Sequence, residues 1–179
     1  DKVFVLCLGV FALVEYVHKD GKTLRLGFTT GSCAALAAKA AASMLLSGAI
    51  SHESTILTPL GITLTVPIED ISIETNAVRC AVRKDAGDDP DITDGILVYA
   101  NVSKTADGQM AIDGGKGVGR VTKKGLDQPV GSASINHVPR RMIEKELENL
   151  RKEYGYEGGF SVLIEIPLGE SLAAKTVNP

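Results

Sequence analysis

Four residues that carry hydroxyls or no side chain at all, Thr29-Thr30-Gly31-Ser32, stand immediately before an alanine-rich run over residues 33–47. A helix starting there would expose N–H groups without intrahelical partners, at the positive end of its dipole. That is the makings of an anion cradle. The same hydroxyls serve equally as helix caps, which need bind nothing. Further along, residues 114–126 hold four cations, Lys116, Arg120, Lys123 and Lys124, and no acid. Arg140 and Arg141 follow at the expected start of a second helix, where the dipole disfavours cations. Cations so placed point to pairing with carboxylates or phosphates, the alternative being a solvated charged face.

Residues 85–94 contribute five aspartates, among them Asp89 and Asp91. No acid falls at the closing position of an EF-hand and Pro90 interrupts, so no metal is assigned. A row of Asx turns, or a carboxylate held as a base, remains. The stretch Asp113-Gly114-Gly115-Lys116-Gly117-Val118-Gly119 has the form D-x-G-x-G-x-G, seen before the first helix of many S-adenosylmethionine-dependent methyltransferases. Glycines there let backbone approach a ligand closely. The stricter G-x-G-x-x-G spacing fails, because Arg120 stands where the last glycine belongs, and a glycine-rich surface loop is the competing reading. His18, His52 and His137 lie in unrelated segments, and Ser32 and Cys33 have no signalled base. No nucleophile constellation is therefore predicted.

These residues need a scaffold, and 179 residues suffice for one good core. Hydrophobic content of 44% and charged content of 23% are those of a globular protein. A net charge of −3 argues against a general nucleic-acid binder, and 4% aromatics without Trp argue against a base-stacking platform. Three cysteines are too few and too scattered for a disulfide framework, which favours a reducing, cytoplasmic setting. The uncharged run over residues 3–14 has the length of a signal-peptide core, but no small-residue cleavage site follows; it is too short to span a bilayer and reads rather as a buried strand or helix, or as an upstream extension.

The run over residues 33–47 predicts a helix stopped by Gly48, buried on most sides because Lys39 is its single charge. Residues 55–58 and 62–66 predict a hairpin about Pro59-Leu60-Gly61. Residues 77–83 alternate, with Val78, Cys80 and Val82 on one face and Arg79, Ala81 and Arg83 on the other. Residues 96–102 and 160–167 predict further strands, and a helix beginning at Pro139 is stopped by Gly155. The fold class expected is α+β: a two-layer sandwich of a mostly antiparallel sheet with helices packed on one face.

Taken in order, these stretches resemble one family. They are residues 24–35, residues 84–93, Gly117-Val118-Gly119-Arg120-Val121-Thr122-Lys123-Lys124-Gly125-Leu126, residues 135–140, and Ile166-Pro167-Leu168-Gly169-Glu170 with the ending Asn178-Pro179. Together they resemble the CbiD family, the cobalt-precorrin-5B C(1)-methyltransferases of anaerobic cobalamin synthesis. The resemblance runs from about Tyr16 to Pro179 and sets residues 1–22 apart as an extension to a domain of residues 23–179. It implies S-adenosylmethionine as cofactor and methyl transfer to a ring carbon of a cobalt-containing, carboxylate-decorated macrocycle. It implies neither nucleic acid nor membrane as partner, and leaves self-association open.

Under that resemblance Thr29, Thr30, Gly31, Ser32, Arg120, Lys123 and Arg140 would grip substrate carboxylates. Asp89 or Asp91 would serve as base, and Asp113, Gly115, Gly117 and Gly119 would approach the cofactor. The family's fold is similar to the ribosomal-protein-like domain of some small-molecule kinases, in keeping with the layered arrangement; the rival reading is a kinase-like phosphate-binding domain that uses the Thr29–Ser32 helix start for a nucleotide, with a non-catalytic module a second. The family also continues past Pro179 into a glycine-rich domain, which implies that this chain carries its first part.

Overall fold

A computed structural model describes residues 3–4, 15–19 and 21–173. The expectation for residues 3–14 falls largely outside them. In chain order the elements are β1 (Val3–Phe4), β2 (Glu15–Lys19), β3 (Lys22–Arg25), α1 (Thr30–Ser47), β4 (Glu53–Leu57), β5 (Thr63–Pro67), β6 (Glu69–Ile73), β7 (Ala77–Arg83), β8 (Leu97–Thr105), β9 (Met110–Gly114), α2 (His137–Tyr154), β10 (Gly159–Glu165) and α3 (Gly169–Ala173). The α+β sandwich expected from the sequence is the one found.

Its centre is a five-stranded sheet ordered β6-β7-β8-β10-β9. The period-two pattern of each strand is what builds the core. Val78, Val102 and Val162 lie in register across three strands, as do Cys80, Ala100 and Ile164. All six are buried, and the Cys80 thiol donates to the Ala37 carbonyl of α1 at 3.3 Å. The opposite face is polar. There the Arg79 guanidinium lies 3.8 Å from the centre of the Tyr99 ring and donates to Glu165 at 3.2 Å. Arg83 pairs with Glu69 in the same way. The two arginines assigned to the open side of β7 thus cover it rather than reach for a ligand.

α1 has eleven buried residues, seven of them alanines. Side chains that small let its axis come close to β7 and β8 on one side and to α2 on another, and the buried residues of both helices join those of the strands in one cluster. Lys39 leaves this helix to donate to the Thr55 carbonyl at 2.7 Å and to pair with Glu146 of α2 at 2.8 Å. One charge therefore holds three elements together. The helices begin earlier than their sequence signals, at Thr30 and His137.

One pairing departs from the antiparallel rule. β10 inserts between β8 and β9, antiparallel to the first and parallel to the second. β8 and β9 follow each other with a short connection, so local sequence would pair them. The crossover through α2 carries β10 back between them, a parallel return that needs such a long connection. Separately, β4 and β5 form the predicted hairpin, and β1, β2 and β3 form a small antiparallel sheet that crosses the boundary drawn at residue 22. Among the described residues no helix is long and apolar enough to cross a membrane.

Candidate active site

The segment leading into α1 is clamped onto the acidic loop. Leu26 bridges to Gly87, the Phe28 N–H donates to the Asp85 carbonyl at 2.8 Å, and the Asp88 N–H donates to the Arg25 carbonyl at 3.1 Å. The Arg25 guanidinium grips Asp85 with both terminal nitrogens, one bond measuring 2.7 Å. That contact holds the Asp85 carboxyl below the usual carboxylate range. A side chain at Gly27 would strike the Ala86 carbonyl carbon at 2.1 Å, so only glycine allows this approach.

The clamp accounts for most of the aspartates. Asp94 accepts from the Ala86 N–H at 2.8 Å. Asp91 accepts from the Thr93 N–H at 2.7 Å, an Asx turn, and pairs with Lys84, which is only 5% exposed. Lys84 and Thr93 together draw the Asp91 carboxyl down to about 2. A carboxylate held so firmly is a weak proton acceptor near neutral pH. Asp89, the other candidate base, is exposed.

Thr29 is the N-cap of α1: its hydroxyl accepts the Ser32 N–H at 3.1 Å and lies 3.1 Å from the Ser32 hydroxyl. The capping role read from the sequence is therefore filled. Thr30 and Gly31, the first two helical residues, have N–H groups with no hydrogen bond among the described residues, as geometry requires at a helix start. Gly31 faces α2, where a Cβ would meet Pro139 Cγ at 2.6 Å.

Three cavities surround this helix start. One of about 240 Å³ lies among Thr30, Thr93, Gly117, Ile166 and Gly169. A second, of about 230 Å³, is bounded by Thr30, Gly31, Val118, Asn136, Pro139 and Ile166. A third, of about 340 Å³ and mostly apolar, lies between Thr29, Ser32, Phe28, Leu64, Val138 and Met142. Segments more than a hundred residues apart thus share walls around Thr30.

The glycine loop contributes unequally to these walls. A Cβ at Gly115 would press on Glu165 Cγ at 3.0 Å and on Leu163, so its bare backbone serves internal packing. Gly117 has φ +74° and its missing Cβ would fall 1.7 Å from the Ile166 carbonyl oxygen, yet it also lines the first cavity. Gly119 has space, with Ser134 Cβ at 3.8 Å. Asp113 is bound by Arg120, at 2.5 Å and 3.1 Å, and Arg120 also donates to the Gly114 carbonyl at 2.7 Å. This pair draws the Asp113 carboxyl down and closes the loop on itself.

Of the cations named from the sequence, Arg140 is fully engaged. It donates to the carbonyls of Ile112 at 2.7 Å, Ile135 at 2.9 Å and Ala133 at 3.4 Å, pinning the start of α2 to β9. Lys123 is exposed on its loop. Cys33 and Cys80 are buried, and burial pushes both thiols up to about 12, which removes them as nucleophiles.

A pair that sequence reasoning missed sits at the head of α2. The Asp127 carboxylate accepts the His137 N–H, capping the helix, and lies 2.6 Å from His137 Nδ1. Its carboxyl is drawn down first by Gln128 and then by His137. The ten-residue separation carries no periodic signal that would have joined the two.

Comparison with known proteins bears on this arrangement. The CbiD family model matches residues 17–179. A cobalt-precorrin-5B C(1)-methyltransferase of Ruminiclostridium cellulolyticum is 51% identical over 165 residues, 92% of this chain and 43% of that protein. The like-named protein of Treponema denticola is also 51% identical, over 91% of this chain and 45% of its own length. The crystal structure of a cobalamin biosynthesis protein (cbiD) from Archaeoglobus fulgidus superposes with a TM-score of 0.66 at 30% identity, covering 91% of this chain and 51% of that one. The chain thus spans somewhat under half the length of these curated relatives.

Proposed function

The chain belongs to the CbiD family, and from that premise we propose that it supplies part of the active site of a cytoplasmic S-adenosylmethionine-dependent methyltransferase. Its substrate would be cobalt-precorrin-5B, the macrocycle in its relatives' names, methylated at ring carbon C-1. The observation that carries this reading is the convergence on Thr30. The helix start, the acidic loop, the glycine loop and the head of α2 share cavity walls there although they are scattered through the sequence.

Bound S-adenosylmethionine would supply a methyl group made electrophilic by its sulfonium. The residues of this chain would position and shield. The N–H groups of Thr30 and Gly31 suit a carboxylate, whether the cofactor's or the substrate's. Gly117, sharing a wall with Thr30, is the glycine of the loop best placed to approach the cofactor, while Gly115 and Asp113 shape the loop behind it. Ile135, Ile166 and Val118 give the cavities apolar sides that exclude water.

Of the two candidate bases Asp89 is the one left for proton removal, since protonating Asp91 would break its pair with Lys84, although Asp89 lines none of the three cavities beside the start of α1. Lys123 remains to meet a substrate carboxylate, whereas Arg120 and Arg140 hold the frame. Calorimetric titration with S-adenosylmethionine and, separately, with ATP tests the reading. Binding of the first alone supports it. Binding of ATP alone would favour a kinase-like nucleotide domain instead.

A further inference from the structure

Arg140 and Arg141 both stand near the start of α2, but only the first has a structural task. Arg140 satisfies three carbonyls. Arg141 is exposed and pairs with no acid among the described residues, and so is Lys145 one turn on. Like charges at positions i and i+4 of a helix repel. Two like charges on one helix face, neither paired with an acid, suit a compensating anion.

That face borders a cavity of about 480 Å³ between the β4–β5 hairpin and the first half of α2. Most of its other walls are apolar, with Leu57, Pro59, Val138 and Met142 among them, and Leu57 and Val138 remain 52% and 43% exposed. The one acid in the lining, Glu146, is already neutralised by Lys39. Thr58, Pro59, Val138 and Met142 also line the apolar cavity beside Thr29 and Ser32, so the groove runs on to the start of α1. Small-molecule sites are of this size and character, apolar with a few convergent polar groups.

We infer that this groove seats one edge of a carboxylate-bearing macrocycle, its apolar ring surface against Leu57, Val138 and Met142 and its peripheral carboxylates on Arg141 and Lys145. The inference rests on the methyltransferase reading for the class of ligand, and on charge complementarity for the place. A net charge of −3 would otherwise repel a polyanion, so attraction has to come from a local patch.

The test is equilibrium dialysis of the chain against dicyanocobyrinic acid, whose ring carries free carboxylates, and dicyanocobinamide, in which they are amidated. The wild type should hold the acid at least about tenfold more tightly than the amide, and added salt should erase most of that difference. The Arg141→Glu/Lys145→Glu variant should lose at least about tenfold in affinity for the acid. Arg141→Gln/Lys145→Gln should lose less, and Lys152→Glu, on the same helix but outside the groove, should lose little. Circular dichroism identifies the folded variants.

Equal affinity of wild type and both groove variants overturns the subsite and leaves the methyltransferase reading intact. Absence of binding by the wild type overturns both. A wild-type dimer that the charge reversal disperses would put a second copy in the groove and overturns the proposal as well.

Discussion

Replacing Lys39 with Met should destabilise the protein by about 2–3 kcal/mol, because it strands Glu146. The Glu146 side chain keeps only 8% of its exposure and has its ion pair with Lys39 at 2.8 Å. Removing one partner of a fully buried pair costs about 3–5 kcal/mol. The Lys39 side chain is 29% exposed, so water can reach the vacated position and lower that figure. Met keeps the aliphatic stem packed, which confines the change to the charge and to the 2.7 Å bond to Thr55. Adding Glu146→Gln to the Met variant should restore all but about 1 kcal/mol, since a neutral amide costs less to bury unpaired. Urea denaturation followed by circular dichroism measures both values. A cost of less than about 0.5 kcal/mol for Lys39→Met, or no recovery from the second substitution, would show that Glu146 does not depend on this pair.

Gly117→Ala should cost more than about 2 kcal/mol, since φ +74° is strained for alanine and its methyl would collide with the Ile166 carbonyl; Gly119→Ala, with open space, should stay within about 0.5 kcal/mol in the same urea titration. The Asp91 carboxyl is lowered from 3.8 to about 2, so its contribution is present above pH 4 and is lost as pH falls through 2. That contribution is on the order of 1 kcal/mol once screening of a one-third exposed carboxylate is allowed for, and acid titration of Asp91→Asn should lack that segment of the wild-type curve. Arg140→Ala should lower the thermal midpoint by several degrees through loss of three carbonyl bonds, whereas Lys123→Ala should leave it unchanged. Native protein should resist modification of Cys33 and Cys80 by a thiol reagent until it unfolds, a point that timed labelling decides.

Much of the fold was legible because its signals are local. The alternation in residues 77–83 assigns β7 and its inner face of Val78, Cys80 and Val82, and the small residues of α1 announce a closely packed helix. Pairing between distant segments was not legible. Nothing in residues 97–114 says that β10 will part β8 from β9, because that order is decided by the crossover through α2.

The site divides along the same line. Residue type marked Arg120, Arg140 and Asp91 as chemically able, but their partners, Asp113, three carbonyls and Lys84, lie at separations with no periodicity. The sequence therefore could not tell a cation that holds the frame from one that faces solvent. Arg140 and Arg141 are adjacent and chemically identical, and only the packing of α2 separates their tasks. His137 has no chemical neighbour in its own segment, and Asp127 supplies one through a loop.

The central claim is that the start of α1 and the glycine loop face one ligand site. Backbone amide NMR of the isotope-labelled chain during titration with S-adenosylmethionine tests it most directly. The largest shifts should fall on Thr30, Gly31 and Gly117, with Thr93 and Gly169 next, as the shared cavity requires. Shifts confined to other surfaces, or produced by ATP and not by S-adenosylmethionine, would contradict it.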